Sequence, residues 1–376
     1  MQTVRTHKVR RAMMRMAPLC LALGIGAFGG MQAEAQTKIS TDTHGYPRVR
    51  KMPNGEILVS ATSFGTKSIS IFSSTNDGAS FAKVGTITDP EFDNGLCCGT
   101  IFVMPQTVGS LASGTLLWAG SVGQNATDRR MKIKVYKSTN NGRTWTFHSS
   151  AVTAANTGGL WEPDFWMAND GALVMGYSDE TLPGSYSQRL MKIRTYDGAS
   201  WVNPSNMVAS TVTSDRPGMA VVSKMANGNR LMTYEICGPA HGCDTYYRTS
   251  TDGWNWGTVT NLGTRIQLAD GRHLAHAPTN KVMPDGSILV VGQLLMTSSN
   301  TIAGQNGLLI FKSASGNPAG PWSTIWAPVP VPDATNQPCV NYTSSMLPVA
   351  NGAQVLEIAG RIENGLCYQY FGSGPG

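Results

Sequence analysis

The sequence predicts an all-β fold, a six-bladed β-propeller, from three observations: a hairpin phrase that recurs six times, a second turn phrase interleaved with it, and a final unit one strand short. The hairpin phrase is a turn ending in glycine, followed by an apolar strand. It occurs at Gly55 (PNGEILVS), Gly114 (SGTLLWAG), Gly171 (NDGALVMG), Gly228 (NGNRLMTY), Gly286 (PDGSILVV) and Gly352 (NGAQVLEI). The intervals are 59, 57, 57, 58 and 66 residues, a period that a pair of β-sandwiches would not produce. Asn-Gly and Asp-Gly supply the positive φ that a tight hairpin needs, and the strands that follow are β-branched or alternating.

The second phrase has the form S-x-N-x-G-x-S/T-aromatic. It runs from Ser74 to Phe81 and from Ser138 to Trp145, with shorter versions from Asp197 to Trp201 and Ser250 to Trp256 and a degenerate one ending at Trp322. An Asp or Asn side chain caps its own turn, glycine takes the left-handed angle, and the aromatic plugs between neighbouring sheets. Asp77, Asp197 and Asp252 are therefore expected to be structural. After Gly352 only two strand-like pieces remain, VLEIAGRI and LCYQYFG. A strand from about Lys38 to Thr43 is expected to complete that last sheet and close the ring, removing exposed edges.

Residues 1–35 read as a secretory signal rather than as part of the propeller. Arg5, Lys8, Arg10, Arg11 and Arg15 form a basic head, Ala17 to Phe28 is apolar, and Ala33-Glu34-Ala35 resembles a cleavage site. The apolar run is too short for a membrane span of ~20 residues, and no later segment offers one. The expected mature chain, residues 36–376, is a monomer, periplasmic or secreted. Removing the head takes five of 29 basic residues and one of 23 acidic ones, leaving 24 against 22. That near-neutral balance, without a basic run, excludes a nucleic-acid partner.

Six cysteines follow the head, and an oxidising compartment favours disulfides among them. Cys237 with Cys243 is the simplest pairing and Cys339 with Cys367 the next. The adjacent Cys97 and Cys98 stay unassigned. No CxxC, HExxH or EF-hand-like spacing is present, so neither a metal nor a cofactor is expected.

The innermost strands should surround a central funnel. Their openings read Tyr46-Pro47-Arg48, Trp161-Glu162-Pro163, Arg216-Pro217-Gly218, His276-Ala277-Pro278 and Asn341-Tyr342-Thr343. Polar groups converging at one mouth suit a polyhydroxylated ligand, an oligo- or polysaccharide. Glu235 lies in an otherwise apolar strand, LMTYEI, where a carboxylate must be paired, solvated by the funnel, or costly. Paired carboxylates are what glycoside cleavage requires, and Glu162 and Glu235 are the candidate pair. Their structural alternative is an ion pair with Arg48, Arg216 or Arg248. Trp161, Trp166 and Tyr234 are candidates to stack on a sugar face, or to pack in the core.

With these residues in place, the chain resembles the sialidase-like propeller superfamily with its Asp-box repeat. More narrowly it resembles the exo-α-1,5-L-arabinanases of glycoside hydrolase family 93. The resemblance rests on Tyr46-Pro47-Arg48, Leu160-Trp161-Glu162-Pro163, Tyr177-Ser178-Asp179-Glu180, Arg216-Pro217-Gly218-Met219, Thr233-Tyr234-Glu235 and Tyr342. It implies a retaining exo-hydrolase with Glu162 as acid/base and Glu235 as nucleophile. Arg48, Trp161, Asp179, Arg216, Tyr234 and Tyr342 would then contact substrate. An exo-α-sialidase is the alternative, using Arg48, Arg248, Tyr342 and Glu235 with Asp89 or Asp93 as acid. His276 stands where a third carboxylate-binding arginine would be needed. A non-catalytic carbohydrate-binding propeller is the remaining alternative.

Overall fold

A computed structural model describes residues 36–376; the expected signal segment lies outside the described residues. Those residues form six antiparallel sheets with only two short 3-10 turns, Pro90–Asn94 and Ala350–Gly352. No helix among them is long and apolar enough to cross a membrane.

Blade one consists of His44–Lys51, Ile57–Ser63, Ser68–Ser74 and Ala82–Ile87. Blade two is Leu96–Val103, Leu116–Val122, Lys132–Ser138 and Thr146–Thr153, and blade three is Leu160–Met167, Leu173–Asp179, Arg189–Thr195 and Val202–Val208. Blade four opens with Arg216–Lys224, Arg230–Cys237, Asp244–Ser250 and Thr264–Arg265, and its sheet is extended by His273–Ala275 and Leu294–Met296. Blade five is Thr279–Val282, Ile288–Val291, Leu309–Ser313 and Ser323–Trp326. Blade six joins Ser345–Val349, Gln354–Glu363 and Leu366–Pro375 to the N-terminal Thr37–Lys38.

The ring therefore closes as expected, with a small shift. The closing strand pairs Thr37 with Phe371 and Lys38 with Tyr370, and Ile39 adds one more backbone bond to Gln369. Pairing ends there, short of the expected Thr43. The first strands of successive blades touch in a closed cycle around the axis. Between blades lie the apolar layers, for example Trp166, Val174, Met232, Tyr234 and Trp256 between blades three and four.

The six hairpin glycines all take left-handed angles, with φ between 83° at Gly114 and 91° at Gly352. The interleaved turns are capped by their own side chains, as Asn76 caps Ser80 N–H at 3.0 Å and Asp252 caps Trp254 N–H at 2.8 Å. Each such turn also docks on the preceding blade. Asn169 N–H in blade three donates to the Asp252 carbonyl at 2.7 Å, and Asp77 of blade one accepts from Ala350 of blade six at 2.6 Å. Cys237–Cys243 and Cys339–Cys367 are joined as expected, and Cys97 is joined to Cys98.

One regularity was not expected from the sequence. In every blade a non-glycine residue near the mouth end of the inner strand takes a left-handed φ: Tyr46 55°, Cys98 63°, Glu162 53°, Met219 57°, Ala277 47° and Thr343 55°. In blades one to four the ladder slips at this point, a β-bulge. Each such angle costs about 1–2 kcal/mol for an L-residue, and a bulge re-aims side chains. The bulge corrects the expected alignment of the blade openings. Glu162 is equivalent to Met219 rather than to Pro217, and Cys97-Cys98 is the missing opening of blade two.

Candidate active site

Left-handed residues, four of them at bulges, turn six short segments toward one mouth. Their residues are Tyr46 from blade one, Cys97-Cys98 from two, Trp161-Glu162 from three, Gly218-Met219 from four, His276-Ala277 from five and Tyr342-Thr343 from six. Glu162 sits on its bulge. Glu235 reaches the same level from the second strand of blade four, where it pairs with Gly218 just before the bulge. Both carboxylates are half-buried.

The two glutamates are held by the same device. Met219 N–H donates to Glu162 at 3.2 Å, and Ala277 N–H donates to Glu235 at 2.7 Å. Each carboxylate thus accepts the N–H of the left-handed residue of the following blade, because that conformation frees the N–H from the ladder. Glu162 has a second donor, the Ser178 hydroxyl at 2.7 Å. The Cys237 sulfur lies 3.6 Å from Glu235 Oε1, but as a disulfide sulfur it carries no proton and makes no hydrogen bond.

Burial raises the pKa of both. Glu235 is pushed up to about 7, mainly by burial and further by the charge of Glu162, against the Ala277 N–H and Arg216. Glu162 is raised by burial against its two donors. Groups that sense each other this way titrate as a pair. Burial also lifts the phenols of Tyr46 and Tyr342 above the ordinary tyrosine value, so both stay protonated at neutral pH. Their rings meet edge-on at 6.2 Å, and the Tyr342 hydroxyl lies 3.5 Å from the Met219 sulfur. Deeper on the axis, Arg50 lies 3.6 Å from Asp164, and Lys281 senses both.

The other expected contacts divide. Trp161 is half-buried at the mouth. Arg216 flanks the site, donating to Glu180, to Gln188 at 2.8 Å and to the Ser187 carbonyl at 3.1 Å. Arg48 is nearly sealed, stacked on Tyr46 at 4.5 Å and bonded to Thr343, so it ties blade one to blade six. Asp179 is buried, paired with Arg189 at 2.8 Å, and caps Thr181 N–H. Tyr234 does not reach the mouth. It is fully buried between blades three and four, and its hydroxyl donates to the Leu262 carbonyl at 2.6 Å. Trp166 is buried in the same layer. Tyr46, Met219, Ser178 and Ala277 stood in the quoted motifs but were given no role in the site, and the X-Pro step shared by Tyr46-Pro47, Glu162-Pro163 and Ala277-Pro278 is the pattern that aligns three of the openings.

Of the alternative's set, Glu235 and Tyr342 share the mouth, but Arg248 and Asp89 are held elsewhere and Asp93 is exposed beside Lys67 at 3.5 Å. Arg248 donates to the carbonyls of Met207 and Asn261, each at 3.0 Å, on the outer part of blade four. Asp89 is held by Lys134 at 2.6 Å and Tyr136 at 2.5 Å.

No family model and no curated sequence matches this chain. Solved structures do. An α-L-arabinanase of Penicillium chrysogenum, complexed with arabinobiose, superposes with a TM-score of 0.76 at 23% identity, over 90% of this chain and 97% of its own. An α-L-arabinofuranosidase of glycoside hydrolase family 93 from Fusarium graminearum, also with arabinobiose, gives 0.76 at 21%, over 91% and 97%. A Hadza microbial sialidase gives 0.60 at 13%, over 90% of this chain and 68% of its own. The chain is a six-bladed β-propeller that shares its fold with these three proteins.

Proposed function

We propose that this protein is an exported, retaining exo-glycosidase acting on α-1,5-L-arabinan or a closely related glycan. The observation that carries the proposal is the pair of half-buried glutamates on neighbouring blades, each held by the N–H of a left-handed residue and each raised in pKa. With its pKa at about 7, Glu235 still holds a proton over part of the neutral range. The likeness to arabinobiose-bound propellers over nine-tenths of the chain supports the substrate class.

The hydrogen bonds support the reverse of the division that the resemblance implied. Glu162 accepts from two donors, which favour its charged form; it suits the nucleophile. Glu235, with one donor and a pKa near 7, suits the proton donor. In the first step Glu235 protonates the leaving oxygen while Glu162 attacks the anomeric carbon. In the second, Glu235 takes a proton from water, and water displaces Glu162. The protonated phenols of Tyr46 and Tyr342 flank the sugar as donors rather than as nucleophiles.

Product analysis on linear α-1,5-arabinan, with a sialoside in parallel, tests the reading. Short arabino-oligosaccharides with retained configuration are expected. On an arabinoside with an activated aryl leaving group, Glu235→Gln should keep the first step and yield an arabinosyl azide when azide is added. Glu162→Gln should stay inactive. Rescue of Glu162→Gln instead would exchange the two roles, and silence on every arabinan would remove the substrate.

A further inference from the structure

The three strongest features outside this account are the axial cluster of Arg50, Asp164 and Lys281, the Cys97–Cys98 pair at the mouth, and the Cys237–Cys243 disulfide beside Glu235. The last forms a closed circuit of contacts. Glu235 and Cys237 lie two residues apart on the second strand of blade four. The disulfide links Cys237 to Cys243, which itself has a left-handed φ of 64°. The Cys243 carbonyl accepts His276 N–H at 2.9 Å. His276 and Ala277 are consecutive left-handed residues, at 62° and 47°, and Ala277 N–H returns to Glu235 at 2.7 Å. Two consecutive strained residues persist only where their surroundings over-determine them.

We propose that the Cys237–Cys243 disulfide is a positioning element for Glu235, fixing the His276-Ala277 turn so that its N–H meets the carboxylate. The inference extends the reading of Glu235 as the proton donor. The other groups around that carboxylate are Glu162 from blade three, Arg216 from the inner strand of blade four, Tyr46 and Tyr342 from blades one and six, and the His276 imidazole. The short loop closed by the disulfide carries His241, which faces Asp215 at 3.4 Å. None of these is bonded to Glu235; among the described residues the Ala277 N–H is its one hydrogen-bond donor. Releasing the turn therefore removes the bond that favours the charged carboxylate, and Glu235 must hold its proton to higher pH.

The test is a pH titration of the glutamate side-chain carbons by ¹³C NMR, with Glu235→Gln assigning the signal. In a Cys237→Ala/Cys243→Ala variant the Glu235 midpoint should rise by about one pH unit, the equivalent of one hydrogen bond to a charged group. A Cys339→Ala/Cys367→Ala variant should leave it in place. Should the first variant not fold, the folded protein is opened with a phosphine. The S–S bond gains two electrons and two protons to give two thiols, the phosphine becomes its oxide with oxygen from water, and alkylation maps the opened pair. A chelator is included, because the freed sulfurs and the His276 imidazole lie within 4.8 Å of one another and would trap a soft metal. A midpoint that does not move, with melting temperature alone reduced, means that the disulfide is only structural and overturns the proposal. The titration needs no turnover. A shifted midpoint in a protein silent on arabinan would keep the positioning role and discard the arabinanase reading.

Discussion

Glu235 and Glu357 invite comparison because burial does the same thing to both. Each lies on the second strand of its blade, accepts one backbone N–H, and is pushed up to about 7. Their levels differ. Glu235 stands opposite Gly218, just before the bulge, and opens to the mouth. Glu357 stands opposite Met346, three residues past the left-handed Thr343, and is fully sealed. It bonds Val329 N–H at 2.8 Å, and its other oxygen has no hydrogen-bond partner in the protein. A raised pKa therefore does not by itself mark a catalytic acid. Access to the mouth separates the two, together with a second carboxylate that Glu235 senses and Glu357 lacks.

The largest effect should come from neutralising each in turn. Glu235→Gln should lower turnover of unactivated arabinan by about 10³-fold with the melting temperature unchanged. Glu357→Gln should leave turnover within about twofold. Comparable losses in both would erase the distinction.

Stability against pH sharpens it from the other side. A buried acid with a raised folded pKa binds more protons folded than unfolded. Its contribution is full below about pH 4.5 and is lost as pH rises toward 7. For Glu357 the loss is about 3 kcal/mol, read as a falling melting temperature between pH 5 and 7.5. Glu357→Gln should make that fall shallower, leaving the part that Glu235 contributes over the same window. If the slope persists in full, another group carries it.

The smallest contrast uses the two tyrosines. Tyr234→Phe strands the Leu262 carbonyl and should cost about 1–2 kcal/mol of stability, with kcat and KM unchanged. Tyr342→Phe should leave stability alone and raise KM roughly fivefold, the loss of one hydrogen bond to substrate. A kinetic effect of Tyr234→Phe alone would show that the apolar layer between blades three and four governs the site.

The blade count was legible because glycine at a hairpin answers a local demand: a positive φ that other residues meet only at a cost. Gly55, Gly114, Gly171, Gly228, Gly286 and Gly352 all meet it. The capped turns were legible for the same reason, since the side chains of Asp197 and Asp252 bond only to their own neighbours. Glu162 and Glu235 stood out because a carboxylate in an apolar strand demands an explanation. The roles expected of Asp179 and Tyr234 were not legible. A Tyr-Ser-Asp-Glu run does not disclose that Arg189, ten residues away, occupies the aspartate, and strand alternation does not tell the funnel side of Tyr234 from the inter-blade side.

The bulges mark the boundary between the two kinds of information. Nothing in Cys98, Met219 or Thr343 favours a left-handed backbone, so no local rule announces them; the angle recurs where six inner strands converge. The sequence by itself determined the all-β class, the six hairpins, the closing strand and the two unusual carboxylates, because each follows from contacts within a few residues or from one chain period. The tertiary structure decided which residues share the mouth, which N–H meets which glutamate, and which raised carboxylate is sealed. Those depend on neighbouring blades, and only the closed ring brings them together.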